Sequence, residues 1–187
     1  MSDQLAPAGL DLVIGFVNTR DEDEGTDALA SPEFAQQWLA QSGLPGLGAT
    51  PSARELERLV SLRESLRGLL SANNTGAPPP ADGLAALNRE ASQMRFGLRF
   101  DGDGGEILAA GGGVDAAIAD LLAIIHDSMR AGTWDRLKVC HADSCIWAFY
   151  DHSRNRSATW CRMEECGNRE KARTYRQRQR AASKPGR

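Results

Sequence analysis

All four cysteines of this 187-residue chain lie between positions 140 and 166. They form two pairs with the same internal spacing, Cys140-x4-Cys145 and Cys161-x4-Cys166, and fifteen residues separate the pairs. Two knuckles joined by an insert of hairpin length can bring four thiolates around one tetrahedral metal ion. The pattern therefore predicts one zinc ion on these four cysteines. Its role would be structural, because four thiolates leave no coordination position open for water.

Other uses of four cysteines remain open at this point. Two disulfides would require an oxidising compartment, but the N-terminal segment lacks the basic region of a secretory signal. No apolar run reaches the roughly 20 residues needed to cross a bilayer. We therefore expect a cytoplasmic protein with no membrane association. His141 or His152 replacing a thiolate, and an iron–sulfur or redox-sensing site, are the remaining alternatives.

Charge is distributed very unevenly along the chain. Residues 136–187 carry thirteen basic and five acidic residues, a net charge of +8, whereas residues 1–135 carry nine basic and twenty acidic residues, a net charge of −11. An acidic body joined to a basic segment indicates that the segment contacts a polyanion and the body does not. The alternative is that the two parts dock on each other through opposite charge.

The N-terminal domain, predicted over residues 1–134, reads as mostly helical with a small sheet. The apolar segment "GLDLVIGFVNT" is expected to be the first strand, followed by the acidic loop "TRDEDEGTD". Ser31-Pro32-Glu33 is typical of a helix start, and this helix should bury Phe34, Trp38 and Leu39. Thr50-Pro51 predicts the start of a second, leucine-rich helix. Arg58, Arg63 and Arg67 are expected mostly on its outer side.

The second half of this domain predicts a helix over residues 82–93, a β-hairpin in "MRFGLRFDGDGGEILAAGGG" and a helix over residues 113–131 that buries Met129 among other apolar residues. The fold class is therefore α+β. The domain has no glycine-rich phosphate loop, no Gly-x-Ser-x-Gly motif and no catalytic dyad; its only histidine, His126, lies beside an apolar helix face. We therefore expect no enzymatic activity.

The C-terminal domain, predicted over residues 135–187, contains the cysteines and a basic helix. Two short strands are expected around the turn "SRNRS", with nearby aromatic side chains as a small core. After Cys166, "REKARTYRQRQRAA" predicts a helix with its arginines on one face, a basic rod that can lie on DNA phosphates. The alternative is a solvated helix whose arginines pair with the acidic body. The expected nucleic-acid contacts are Arg154, Arg156, Arg169, Arg173, Arg176 and Arg180.

Two motifs resemble known families. "CGNR" at 166–169, preceded by C-x4-C-x-W-x-F-Y-D-x-S-R-N-x-S-x-x-W-C, is similar to the CGNR zinc finger. "LDLVIGFVNT" resembles the start of the ABATE domain, which accompanies that finger in stress-induced bacterial transcription regulators. The resemblance implies zinc on Cys140, Cys145, Cys161 and Cys166, and DNA binding by the finger.

The combined hypothesis is a zinc-containing DNA-binding transcription regulator with a treble-clef-like finger. The N-terminal domain would sense a small-molecule effector or form a homodimer, and we expect a dimer because one short finger reads few base pairs. The alternative is a protein-interaction adaptor that the zinc stabilises and that does not bind DNA. Loss of zinc is expected to unfold residues 136–181 and to leave the N-terminal domain folded.

Overall fold

The computed structural model describes residues 6–7, 9–44, 49–102 and 104–182. It confirms the α+β class, with helices packed around each other and small two-stranded sheets. The ends of the two predicted domains, residues 1–5 and 183–187, lie outside these ranges. Within them the elements are, in chain order, α1 (Leu10–Val17), β1 (Arg20–Asp21), β2 (Thr26–Asp27), α2 (Pro32–Gln41), α3 (Ala53–Thr75), α4 (Ala81–Gln93), β3 (Arg95–Asp101), β4 (Gly104–Ala110), α5 (Gly113–Arg130), β5 (Leu137–Val139), β6 (Ala148–Tyr150) and α6 (Asn168–Ala182).

Helix α3 is the central element of the fold. Its 23 residues pack against α1, α2, α4 and β5. It begins with a capping box, in which Ser52 accepts the N–H of Glu55 and the Glu55 carboxylate accepts the N–H of Ser52. It ends at Gly76, whose φ of 70° is the left-handed conformation that suits glycine. The core around it is formed by fully buried side chains of α1, α3 and α5, among them Phe16, Leu59, Leu62, Leu66, Ile118 and Leu121.

The expected first strand is wrong, because residues 10–17 form the helix α1. Its buried residues are Leu10, Val13, Phe16 and Val17, which share one face at helical spacing. A short apolar run of this kind fits a buried helix and a buried strand equally well, since both faces are apolar. The acidic segment that follows is also more ordered than a loop: β1 and β2 pair in a small antiparallel hairpin around it.

Smaller differences concern helix ends and two apolar side chains. The helix predicted after Thr50-Pro51 begins later, because Ser52 is its cap. In α2 the predicted Ser31 cap is confirmed, but Phe34 is 56% exposed because the inward positions there are Ala35 and Leu39. Met129 is 45% exposed at the last turn of α5. The helices predicted over 82–93 and 113–131 and the hairpin between them are confirmed.

The largest departure from the sequence interpretation is that Arg63 and Arg67 are buried rather than on the outer side of α3. The Arg63 guanidinium binds both oxygens of Asp27 at 2.6 and 3.0 Å. It also donates to Glu64 at 2.8 Å and to the Thr19 hydroxyl at 3.2 Å. A buried charge is tolerated only when it is paired and hydrogen-bonded in this way. Arg63 therefore fixes the β1–β2 hairpin against α3.

The C-terminal segment shares its core with the helical body. Leu137, Val139 and Ala148, from β5 and β6, belong to the same buried cluster as Phe16 and Leu66. The N-terminal domain is expected to stay folded without zinc only if it has a core of its own. The shared cluster argues against that expectation. No helix within the described ranges is long and apolar enough to cross a membrane.

The buried Arg63–Asp27 pair gives a stability prediction. Asp27→Asn should lower the free energy of unfolding by about 3 kcal/mol at pH 7, because it leaves a buried guanidinium without its main counter-charge. Burial raises the pKa of Asp27, but hydrogen bonds from Arg63 and Leu29 outweigh this and hold the pKa below its ordinary value. The contribution is therefore present above about pH 4 and is lost as the pH falls through the lowered pKa.

Urea denaturation from pH 7 to pH 3 measures this effect. The difference between the parent and Asp27→Asn should shrink as the pH falls. The matched control is Glu22→Gln, which breaks the exposed Arg20–Glu22 pair of the same hairpin and should cost under about 1 kcal/mol. Equal losses in the two variants would show that Asp27 is not a buried counter-charge.

Candidate metal centre

The four cysteines come from two turns that are separate in the sequence and adjacent in space. Strand β5 leads directly into Cys140, and the knuckle 140–145 returns the chain to β6. Cys161 follows the loop after β6, and Cys166 lies in the turn Met163–Gly167 that runs into α6. The last cysteine is therefore fixed at the start of the basic helix. The two strands expected around the turn "SRNRS" are wrong, because residues 151–162 contain no strand and β6 pairs with β5 across the knuckle instead. The knuckle and the helix that follows the last cysteine fit the treble-clef-like expectation.

The sulfur atoms have the spacing of a tetrahedral zinc site. All four Sγ atoms lie within 4.8 Å of one another. The Cys145–Cys161 and Cys161–Cys166 Sγ distances are 3.8 and 3.7 Å. Zinc–sulfur bonds of about 2.3 Å arranged tetrahedrally separate the sulfurs by about 3.8 Å. All four cysteines are free thiols rather than disulfides, so this site can hold one zinc ion, and zinc is the cofactor of the finger.

Backbone amides support thiolate character at the first knuckle. The N–H of Ala142 donates to the Cys140 sulfur and the N–H of Trp147 to the Cys145 sulfur, each two residues further along the chain. A hydrogen bond from Cys161 lowers the pKa of Cys140 to about 5, whereas burial raises the pKa of Cys145 to about 12. Four thiolates this close repel one another unless a cation lies between them. The donor set therefore fits a divalent, thiophilic metal.

Positive groups of the protein also face the site. Cys166 lies at the N-terminal end of α6, where the helix dipole favours negative charge. Arg169 reaches back across it, with its guanidinium 3.8 Å from the Cys166 sulfur and 3.0 Å from the Ser144 hydroxyl. Both features stabilise a zinc–thiolate cluster that carries net negative charge.

The arginines proposed to contact nucleic acid fall into two groups. Arg169 faces the cysteines, Arg173 pairs with Asp143 and Glu170, and Arg156 pairs with Asp135. These three are exposed but already engaged within the chain. Their assignment as phosphate contacts stays a prediction.

The second group is Arg154, Arg176 and Arg180. Arg154 is exposed in the turn after β6, and Arg176 donates to the Ala172 carbonyl of its own helix at 3.2 Å. Among the residues that the structure describes, Arg154 and Arg180 contact no acidic side chain. Residues 171–180 are exposed on every side of the helix. These three guanidinium groups are therefore available to an outside partner.

Amide and guanidinium side chains of the body form hydrogen bonds with the backbone beside the cysteines. Asn18 at the end of α1 accepts the N–H of Ala148 at 2.7 Å and donates to its carbonyl at 2.9 Å, so it replaces a neighbouring strand for β6. Arg67 donates to the Val17 carbonyl at 2.7 Å and to the carbonyl of Ile146, the residue after Cys145. One side chain therefore ties the end of α1 to the first knuckle.

The C-terminal end of α3 holds the other side of the site. Asn74 donates to the carbonyls of Val139 at 2.7 Å and Thr159 at 2.9 Å, which precede Cys140 and Cys161 in the chain. Asn73 donates to the Leu137 carbonyl at 3.0 Å. The two cysteine turns are therefore held at a fixed separation by one helix end. This arrangement preorganises the metal ligands.

Lys138 anchors the loop that carries Arg154. Its ammonium group is buried and donates to Asp151 at 2.7 Å, the Arg156 carbonyl at 2.7 Å and the Ala158 carbonyl at 3.0 Å. Burial raises the pKa of Asp151, but hydrogen bonds from Lys138 and Ser153 keep it below its ordinary value. All three donors of the ammonium are used. The turn that carries Arg154 is therefore held in a fixed position on the surface of the finger.

Two family models match the chain. The first, ABATE, is described as "Putative stress-induced transcription regulator" and matches residues 10–127. The chain belongs to the ABATE family. The second model, the CGNR zinc finger, matches residues 136–179, so the expected order of an ABATE domain followed by a CGNR finger is confirmed. The chain has no match among curated proteins.

The contacts give physical roles to both motifs. In the ABATE segment, Asn18 pairs with β6, while the Thr19 hydroxyl donates to the Phe16 carbonyl at 2.8 Å and receives Arg63. In the CGNR segment, a Cβ on Gly167 would clash with the Met163 sulfur. Asn168 donates to the Glu164 carbonyl at 3.1 Å, next to the cluster that Arg169 faces. The ABATE motif thus docks the finger, and the CGNR motif closes the metal site.

Sequence reasoning missed the residues that join the ABATE domain to the finger, which are Asn18, Arg67, Asn73 and Asn74. One signal was available. Arg63 and Arg67 lie at positions that continue the apolar stripe of Leu59, Leu62 and Leu66, so both had to point inward. The amides gave no such signal, because "ANNTG" reads as a helix end.

The metal site predicts about one zinc per chain in protein purified without added metal, measured by elemental analysis. Cys161→Ser should lose this zinc. Because β5 and β6 belong to the common core, the variant should lose stability over the whole chain in one transition rather than only in the finger.

The matched control is His141→Ala, which changes an exposed side chain next to Cys140 and should keep both zinc and stability. Loss of zinc in His141→Ala would indicate that His141 is a metal ligand. Retention of zinc in Cys161→Ser would remove Cys161 from the ligand set.

Asn18→Ala should destabilise the docked finger by about 2 kcal/mol, because it leaves the N–H and C=O of Ala148 without partners in a partly buried place. It should also speed the transfer of zinc to a competing chelator, since β6 directly follows the first knuckle. Thermal unfolding and chelator kinetics measure the two effects. Asn88→Ala, on the exposed side of α4, is the control and should change neither. Unchanged zinc release in Asn18→Ala would show that docking does not support the site.

Proposed function

We propose that this protein is a zinc-containing transcription regulator whose C-terminal finger binds DNA. The observation that carries the proposal is the state of α6: a 15-residue helix, exposed over residues 171–180, basic, and anchored at its first turn by the metal centre. A polar helix of this length is marginal in water by itself. A phosphate backbone is a partner that would neutralise its charge and hold it.

The internal ion pairs support a partner outside the chain. Within the described ranges, the body contacts the basic face of α6 through one acidic residue, Asp23, at 3.8 Å from Arg169. The partners of Arg173, Asp143 and Glu170, belong to the finger itself. Docking on the acidic body therefore accounts for little of the +8 charge. Arg154, on the rigid turn, adds a second basic projection.

The rest of the proposal follows the family description. A role in the stress response comes from the name of the family alone. The free thiols support a reducing compartment such as the cytoplasm. We propose that the ABATE domain controls the finger, through a homodimer or through a small-molecule effector.

A salt titration tests DNA binding. Each phosphate contact contributes about −0.9 to the slope of log affinity against log salt concentration. Arg176→Ala with Arg180→Ala should flatten the slope by about two units per finger, with zinc content and thermal stability unchanged. Fluorescence anisotropy with a random-sequence duplex measures the slope.

The control is Arg54→Ala with Arg89→Ala, two exposed arginines of the body, which should leave the slope as in the parent. If the α6 variant binds like the parent at every salt concentration, this helix is not the contact surface. Absence of DNA binding by the zinc-loaded parent would favour the adaptor function, in which α6 grips carboxylates of another protein as Arg173 grips Asp143 and Glu170.

A further inference from the structure

The hairpin of β3 and β4 exposes an apolar stripe. Phe96, Leu98 and Phe100 alternate along β3 and are 42%, 68% and 76% exposed. Alternate residues of a strand share one face, so the three side chains form one continuous surface, which we call the β3 stripe. Isolated exposed apolar residues are common, but three in a row on one strand face mark an interaction surface.

Phe96 and Leu98 of the β3 stripe line one wall of an apolar groove of about 450 Å³, whose other walls come mainly from α4 and α5. Leu84 and Met129, at the rim, are 38% and 45% exposed. The polar residues that line the groove, Asn88 and His126, are exposed. Small-molecule sites usually contain a few buried polar groups that fix the orientation of the ligand. This groove has none among the described residues, which favours an extended apolar partner.

The two edges of the hairpin differ. Burial raises the pKa of Asp120 in α5, and a hydrogen bond from the backbone N–H of Ala109 partly offsets this rise. The N–H of Ala109 therefore points from β4 toward α5. Ala109 lies opposite Phe96 in the ladder. Ala109 and Phe96 are therefore a pair that does not exchange hydrogen bonds. Such pairs alternate with hydrogen-bonded pairs along an antiparallel ladder. Phe96, Leu98 and Phe100 thus direct their N–H and C=O groups to the outer edge of β3.

No strand among the described residues pairs with that outer edge. A two-stranded hairpin is marginally stable, and an unpaired edge is a template for another strand. We propose that two copies of this chain pair antiparallel along β3 about a two-fold axis at Leu98, forming a four-stranded sheet. This inference rests on the proposed function in one respect, since the dimer would supply two fingers for DNA. The test of the dimer itself involves no DNA.

The sequence of β3 is self-complementary in this register. Phe96 and Phe100 are equally distant from Leu98, so each Phe96 lies opposite Phe100 of the second copy and the two Leu98 residues face each other. Aromatic and aliphatic pairs opposite each other stabilise antiparallel strands. On the other face Arg99 lies opposite Gly97 of the second copy, so like charges do not meet directly. A strand of an unrelated protein would match this symmetric pattern only by coincidence, which favours a second copy as the occupant.

Sedimentation equilibrium of the zinc-loaded full chain tests the dimer. We expect the parent to reach twice the 20.2 kDa mass of one chain as its concentration rises. Leu98→Lys places two ammonium groups against each other on the axis and should stay monomeric over the same range. Leu108→Lys is the matched control: Leu108 is 37% exposed on the opposite face of the same hairpin, and its variant should dimerise like the parent.

Cysteine cross-linking tests the register. Hydrogen-bonded residues opposite each other have Cα atoms about 5.5 Å apart, within disulfide range. Leu98→Cys should therefore form a disulfide-linked dimer under mild oxidation, at least tenfold faster than the parent with its zinc-bound cysteines. Phe96→Cys alone should not, whereas a mixture of Phe96→Cys and Phe100→Cys should.

A parent that remains monomeric at every concentration overturns the proposal, and so does a dimer that Leu98→Lys leaves intact or that Leu98→Cys fails to cross-link. Circular dichroism and zinc content show that the variants are folded. Failure of the proposed function is distinguishable, because the dimer is measured without DNA. Monomeric Leu98→Lys should keep the salt slope per finger while losing at least tenfold in affinity for a two-finger site.

Discussion

The guanidinium of Arg67 is the contact on which the arrangement of this protein depends. It is buried, and it donates to the carbonyl of Val17, the last residue of α1, and to the carbonyl of Ile146, the residue after Cys145. Because both acceptors are backbone carbonyls, the interaction fixes main-chain positions rather than side chains. Removing it would leave these two carbonyls without this donor, one of them directly after the metal ligand Cys145. The finger is therefore positioned on the body by polar contacts, and the apolar core closes around them.

This dependence divides the work between two kinds of interaction. The metal ion brings together Cys161 and Cys166 with the first knuckle, which have no large apolar core of their own. The amides of Asn18, Asn73 and Asn74 satisfy backbone groups that a larger sheet would otherwise satisfy. A small β-hairpin can in this way stand at the edge of a helical body without adding strands. The basic helix gains a rigid base, although it packs on almost nothing itself.

Much of this could be predicted from the sequence where a local rule was sufficient. The cysteine spacing gave the metal site, the Ser31 cap gave α2, and the periodic leucines gave α3, because each depends on neighbours in the chain. The nature of α1 could not be predicted, since an apolar run fits either a helix or a strand. The docking amides could not be predicted either, because Asn18 and Asn74 act on carbonyls 130 and 65 residues away in the chain. Such partners are set by tertiary packing, which no local pattern records.

Helix α3 also has a mechanical consequence. Near its first turns, Arg58 binds Glu90 at 2.9 Å and Asp115 at 2.8 Å, close to the ends of α4 and α5 that flank the hairpin. Its last turn holds the cysteine turns through Asn73 and Asn74. A 23-residue helix is about 34 Å long. One rigid element therefore spans the distance between the hairpin side of the body and the base of the metal site.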